Sequence, residues 1–131
     1  MRNYAGEFTI VDAKATTGIG NNFYVKDFRH IVVTINSAGS ANLTVKAVGA
    51  ISETVPDFAA AQSPTNRYDF INMRDYEDNS KVDGDDGLAL SGTDDQRMFE
   101  LNTNGLTWIN FRITARSAGN VTIKAVAFND S

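Results

Sequence analysis

No cysteine occurs in the 131 residues, which excludes a disulfide framework, a thiolate metal site and a cysteine nucleophile. A single histidine, His30, leaves no material for a metal site built on several imidazoles. Only two prolines are present, Pro56 and Pro64, and both fall in one segment. Cations are the minority charge. Twelve Lys and Arg stand against sixteen Asp and Glu, a net charge of −4 with a pI near 4.8. That balance argues against nucleic acid as the main partner, because phosphate backbones are held by clustered cations. No window approaches the roughly 20 consecutive apolar residues that span a bilayer, so no membrane partner is expected. The opening run Met1 to Glu7 lacks an apolar stretch and does not read as a signal peptide.

What remains is alternation. Gly, Asn, Ser and Asp clusters cut the chain at short intervals, and between them apolar and polar residues mostly alternate, the pattern of half-buried strands. Strands are expected at 7–14, 23–25, 67–77, 88–90 and 97–102. Residues 30–36, 42–51, 107–116 and 121–128 are dense in β-branched side chains that suit a pleated backbone. Ser37-Ala38-Gly39-Ser40-Ala41 reads as a turn between 30–36 and 42–51, predicting a hairpin, and 107–116 with 121–128 predicts a second. Between them, residues 52–66 form a long connection in which Asp57 could cap one helical turn. About two-thirds of the unfolded surface is buried in a chain of this length, so one domain over residues 1–131 is expected, with residues 1–6 as a flexible arm.

The two predicted hairpins echo each other. Ser37-Ala38-Gly39 precedes Asn42-Leu43-Thr44-Val45-Lys46-Ala47-Val48, and Ser117-Ala118-Gly119 precedes Asn120-Val121-Thr122-Ile123-Lys124-Ala125-Val126. Two equivalent strand pairs facing one core suit a sandwich. The fold class expected is all-β, an antiparallel β-sandwich of eight or nine strands, jelly-roll-like or alternatively Ig-like.

Catalytic signatures are missing. His30 has no marked nucleophile beside it, the Gly-x-Ser-x-Gly elbow is absent, and Gly18-Ile19-Gly20 lacks the third glycine and following helix of a phosphate loop. Nothing singles out a carboxylate pair for glycoside hydrolysis. No enzyme and no cofactor are expected. Residues 75–95 gather eight of the sixteen acids. Asp83, Asp85 and Asp86 are the candidate calcium ligands there, but the spacing departs from the EF-hand at its fifth, sixth and twelfth positions, and a solvated turn-rich loop explains the acids as well. Five aromatics in terminal or loop contexts, Tyr4, Phe23, Tyr24, Phe58 and Tyr76, are the candidate partner-binding residues, since exposed aromatic rings anchor interfaces or stack on sugars. Phe8, Phe70, Phe99, Trp108 and Phe111 are expected to fill the core.

Several of these stretches are familiar. Asp27-Phe28-Arg29-His30-Ile31-Val32-Val33, Pro56-Asp57-Phe58, Gly92-Thr93-Asp94-Asp95-Gln96-Arg97-Met98-Phe99-Glu100-Leu101-Asn102 and Gly119-Asn120-Val121-Thr122-Ile123-Lys124-Ala125 together resemble small all-β virion proteins of tailed bacteriophages, over about 23–128. The resemblance implies a cysteine-free sandwich that coats or cements the capsid, often as a symmetric oligomer, or sits in the tail. It implies the major capsid protein or other virion proteins as partners, a homo-oligomer (trimer or dimer), synthesis in the bacterial cytoplasm and residence on the capsid surface. Phage tail-tube proteins are usually longer, which sets capsid decoration ahead of the tail, neck or fibre alternative. A carbohydrate-binding β-sandwich module is the rival from another class, predicting glycan binding that is lost on replacing Tyr24 or Tyr76.

Overall fold

A straight 21-residue strand would reach about 70 Å, far more than a domain with a radius of gyration of about 14 Å can hold. The chain nevertheless contains two such strands. The computed structural model describes residues 4–129, apart from the side chains of Tyr4, Ala5 and Thr93. Its strands are β1 (Tyr4–Lys14), β2 (Gly18–Ile19), β3 (Phe23–Tyr24), β4 (His30–Ala50), β5 (Asp69–Ile71), β6 (Met73–Asp75), β7 (Lys81–Val82), β8 (Leu88–Thr93), β9 (Gln96–Leu101) and β10 (Trp108–Phe128). All pair antiparallel, and no helix forms among the described residues.

β4 and β10 lie side by side over their whole length, from His30 opposite Phe128 to Ala50 opposite Trp108. Both bend midway, at 37–41 and at 116–120, where the register slips. The bends fold one continuous sheet onto itself. The first layer holds β1, the second half of β10, the first half of β4, then β9, β6 and β7. The second layer holds β2 and β3 beside the first half of β10, and β8 and β5 beside the second half of β4. Odd-numbered residues point inward on both arms of both long strands: Ile31, Val33 and Ile35 with Leu43, Val45 and Ala47, and Ile109, Phe111 and Ile113 with Val121, Ile123 and Ala125. These make one core, joined by Phe99 and Leu101 from β9 and Ile10 and Val11 from β1. The all-β, antiparallel sandwich expected from alternation is the fold, with ten strands.

The two predicted hairpins do not form. Residues 30–36 pair with 122–128, and 42–50 pair with 108–118, so each half of the echo pairs with the other copy instead of with its own neighbour. The misreading has a physical cause: Ser-Ala-Gly is turn chemistry, but Gly39 (φ +74°), Ser40 (φ +52°) and Gly119 (φ +76°) use left-handed backbone to kink a strand without reversing it. The Ser40 N–H donates to Asp94 Oδ1 at 2.6 Å, and the Asp95 N–H donates to Ser37 Oγ at 2.9 Å. These contacts tie the β4 kink to the β8–β9 junction, where the chain also passes between layers.

Other expectations need smaller corrections. Residues 67–77 break at Asn72 into β5 and β6, which pair with different layers. The Asn72 side-chain oxygen accepts from the Gly84 N–H at 3.0 Å. Asp57 caps only a turn, accepting the Ala59 N–H at 3.0 Å. The expected arm is strand where it is described, since Tyr4 lies opposite Phe128 and Ala5 opposite Ala127; Met1 to Asn3 lie outside the described residues.

One buried polar group fastens the corner segment 18–22. Asn110 is fully buried; its oxygen accepts from the Gly20 N–H (3.1 Å) and its nitrogen donates to the Gly20 carbonyl (3.1 Å) and Asn22 Oδ1 (2.7 Å). A Cβ on Gly20 would collide with the Ile10 carbonyl, so the segment presses directly on β1. Asn110→Ala removes these three hydrogen bonds to the part-buried corner and is expected to cost about 1–3 kcal/mol. Urea unfolding checks it, and an unchanged midpoint would show that the amide holds nothing.

Candidate interaction surface

The five aromatic candidates separate sharply by burial. Phe23 is 8% exposed and stacks on Phe8 with ring centroids 4.6 Å apart. Phe58 is 1% exposed, packed edge-on against Tyr68 at 5.4 Å. Both are therefore structural, contrary to the partner-binding expectation. The reason is that the connection 52–68 folds back over the outer face of the second layer, covering Val48 and Ala50 with Phe58 and Tyr68. A loop that looks available in the sequence is a lid on a second, smaller core. The Tyr4 side chain lies outside the described residues.

Tyr24 and Tyr76 remain as exposed rings, at 42% and 47%. They sit on different layers. Tyr24, in β3, meets Trp108 edge-on at 5.0 Å across the β3–β10 pair. Ile51, 70% exposed, follows the β4 residue opposite Trp108, and the Trp108 indole N–H donates to the Glu53 carbonyl at 3.1 Å. Lys26 and Glu53 close this patch with a 2.9 Å ion pair. Their hydrogen bond, then their mutual charge, raises the Lys26 pKa and lowers that of Glu53. The pair is exposed, so its contribution to stability is slight. It persists above the ordinary carboxylate range and fades as pH falls through the lowered Glu53 value.

Tyr76 follows β6 in the first layer, with its N–H donating to the Met98 carbonyl at 3.1 Å. Met98 is itself exposed. Desolvation, with Glu100 adding to it, raises the Tyr76 pKa. Beneath Tyr76, Asp75 is buried and accepts from the Arg97 guanidinium and from the Glu77 N–H (2.8 Å), while Arg97 stacks over Phe99 at 5.1 Å.

The candidate calcium ligands are not assembled. Asp83 Oδ2 accepts from the Asp86 N–H at 3.3 Å and the Asp83 carbonyl from the Gly87 N–H at 2.8 Å, both within one turn. Among the described residues no three His, Asp or Glu side chains converge as a metal site would need. The acidic run is a chain of self-capping turns, as at Asp78, whose carboxylate accepts from the Ser80 hydroxyl at 2.6 Å and has its pKa lowered by that bond first.

One feature carries no signal in the sequence. Two adjoining depressions, of about 420 and 450 Å³, share Arg29, His30 and Asn104 at one end of the sandwich. Arg74 and Lys81 line the first, with Glu100. Their members come from β4, β6, β7, β9 and the connections between them, so only the register brings them together.

The geometry therefore defines an all-β sandwich with an exposed aromatic corner and a polar end cleft. No protein-family model matches the chain, and no curated protein matches it by sequence. Among solved structures the same fold occurs in the SPBc2 prophage-derived protein YomS, at 14% identity and a TM-score of 0.71, covering 98% of this chain and 95% of that one. It occurs again in the PBSX exported protein XepA, at 16% identity and a TM-score of 0.70. That match covers 97% of this chain but 38% of XepA. At these identities the likeness is one of fold.

Proposed function

We propose that this chain is a non-enzymatic structural protein of a bacteriophage virion, most specifically a capsid decoration or cement protein. The observation that carries the reading is the end-to-end fold match to a protein described as prophage-derived, over 95% of that chain. It accords with the resemblance to phage virion proteins drawn from the sequence. The partner is the major capsid protein or a neighbouring virion protein, and the chain acts as a homo-oligomer, a trimer or dimer. Synthesis is in the host cytoplasm and residence is on the capsid surface.

The mechanism needs no reaction. The edge-on Tyr24–Trp108 pair with its flanking Lys26–Glu53 ion pair has the composition of an interface centre with a polar rim, and the exposed Ile51 follows the strand partner of Trp108 along the chain. Many copies of one modest contact bridge neighbouring capsid subunits, and such multivalency raises effective affinity by about 10²–10⁴.

Quantitative proteomics of purified particles tests the reading. About as many copies as capsid subunits supports decoration. A few copies per particle would move the protein to the tail, neck or fibres. Absence from particles overturns the virion reading and favours a second one, a phage-encoded exported protein of the kind that XepA's description names.

A further inference from the structure

The end cleft breaks a rule of sheet stability. Arg74 in β6 and Lys81 in β7 are direct cross-strand partners, and like charges placed opposite each other on one face destabilise a sheet. Relief comes from one side only. Arg74 donates to Glu100, its partner in β9, at 2.6 Å. Among the described residues Lys81 and Arg29 have no acid within ion-pair distance. In a chain of net charge −4, this end therefore holds local positive charge facing open space. The adjoining depression adds Lys26, already engaged by Glu53, and Asp27.

The remaining lining is amide-rich: Asn72, Asn79, Asn102 and Asn104 stand around the cations. Side-chain amides both donate and accept, as the hydroxyls of a polyol or sugar require. No Phe, Tyr or Trp lines the first depression and Phe28, partly buried, is the one such ring lining the second, so the extended aromatic platform of base stacking or of a neutral-sugar site is not available there. Two depressions joined end to end suit a chain in place of a single ion.

We infer that this cleft binds an anionic carbohydrate chain, with Arg29 and Lys81 taking its phosphate or carboxylate groups and the asparagines its hydroxyls. The inference concerns the isolated protein and stands apart from its place in a particle.

The test is calorimetric and NMR titration of the purified chain at low salt. The probes are a glycerol-phosphate oligomer, an oligogalacturonate, neutral maltohexaose and a single-stranded DNA oligomer. One or both anionic glycan probes should bind saturably, shift the Asn72, Asn102 and Asn104 side-chain amides, and weaken as salt rises. Which of the two binds identifies phosphate or carboxylate as the charge recognised. Arg29→Glu with Lys81→Glu should weaken that binding by at least about tenfold, since charge-assisted hydrogen bonds are lost. Both residues are exposed, so the melting temperature should hold, which separates lost binding from lost fold. No saturable binding of either anionic glycan, tighter binding of maltohexaose or DNA, or full binding by the double variant would each overturn the inference.

Discussion

Gly119→Ala is expected to destabilise the fold by about 2–5 kcal/mol, the sum of a left-handed residue's steric cost and of overpacking. The position combines both penalties. Its φ is +76°, and a Cβ built there would lie 2.5 Å from the Ala38 carbonyl oxygen and 2.5 Å from the Ala41 Cα. These are backbone atoms of the kink in β4, which have nowhere to retreat, because that kink is tied to Asp94 and Asp95. Gly39 faces the same point from the other side, where an added Cβ would lie 3.2 Å from the Gly119 Cα. The two kinks thus pass each other at backbone contact, and the two layers depend on that crossing.

Gly92 supplies the control. It has a comparable φ of +68°, yet nothing stands within 4 Å of a Cβ there. Gly92→Ala should cost only about 1 kcal/mol, the backbone part alone, lessened by the reduced freedom of the unfolded chain. Urea unfolding of both variants measures the difference. Equal losses would mean that the crossing is looser than the geometry states, and would remove it as the element that folds the sheet.

The same crossing explains what was legible in the sequence. Alternation in 30–36, 42–50, 108–113 and 121–128 is enforced by one face meeting the core, so the strands and their inward residues could be read directly. The echo could be read too, because Leu43, Val45 and Ala47 and their counterparts Val121, Ile123 and Ala125 occupy matching inward positions on opposite layers. The meaning of Ser-Ala-Gly could not. A hairpin turn and a strand kink both want small residues and left-handed backbone, and only the long-range partner decides between them. Burial of Phe23 and Phe58 was hidden for a related reason: a ring in a loop is buried or exposed according to what lies beneath it. The end cleft was the least legible, since Arg29, Arg74 and Lys81 have no sequence pattern in common and meet only through the β4–β9–β6–β7 register.

Phe58→Ala is expected to open the second core without unfolding the first. Phe58 is 1% exposed and rests in a cluster of its own with Val48, Ala50 and Tyr68. Truncating such a ring costs about 3–5 kcal/mol when the surroundings cannot relax. Here they can relax. What holds the connection 52–68 to the sandwich is Phe58 and Tyr68 together with a few polar ties: the Arg112 guanidinium donating to the Tyr68 hydroxyl (3.1 Å), the Trp108 indole N–H donating to the Glu53 carbonyl (3.1 Å) and the exposed Lys26–Glu53 pair. Once the ring is gone, undocking this segment is cheaper than keeping it over an unfilled space. The loss measured by global unfolding is then capped at the docking free energy, below the full truncation cost. Hydrogen exchange separates the two events. The Ala60, Ser63 and Asn66 amides, which donate within the segment, should exchange faster by up to about 10²-fold, the rate equivalent of the lower truncation cost. Amides of β9 and of the second half of β10 should keep their protection. Uniform acceleration across all of these would show instead that the lid and the sandwich unfold as one unit, and that the second core is an extension of the first.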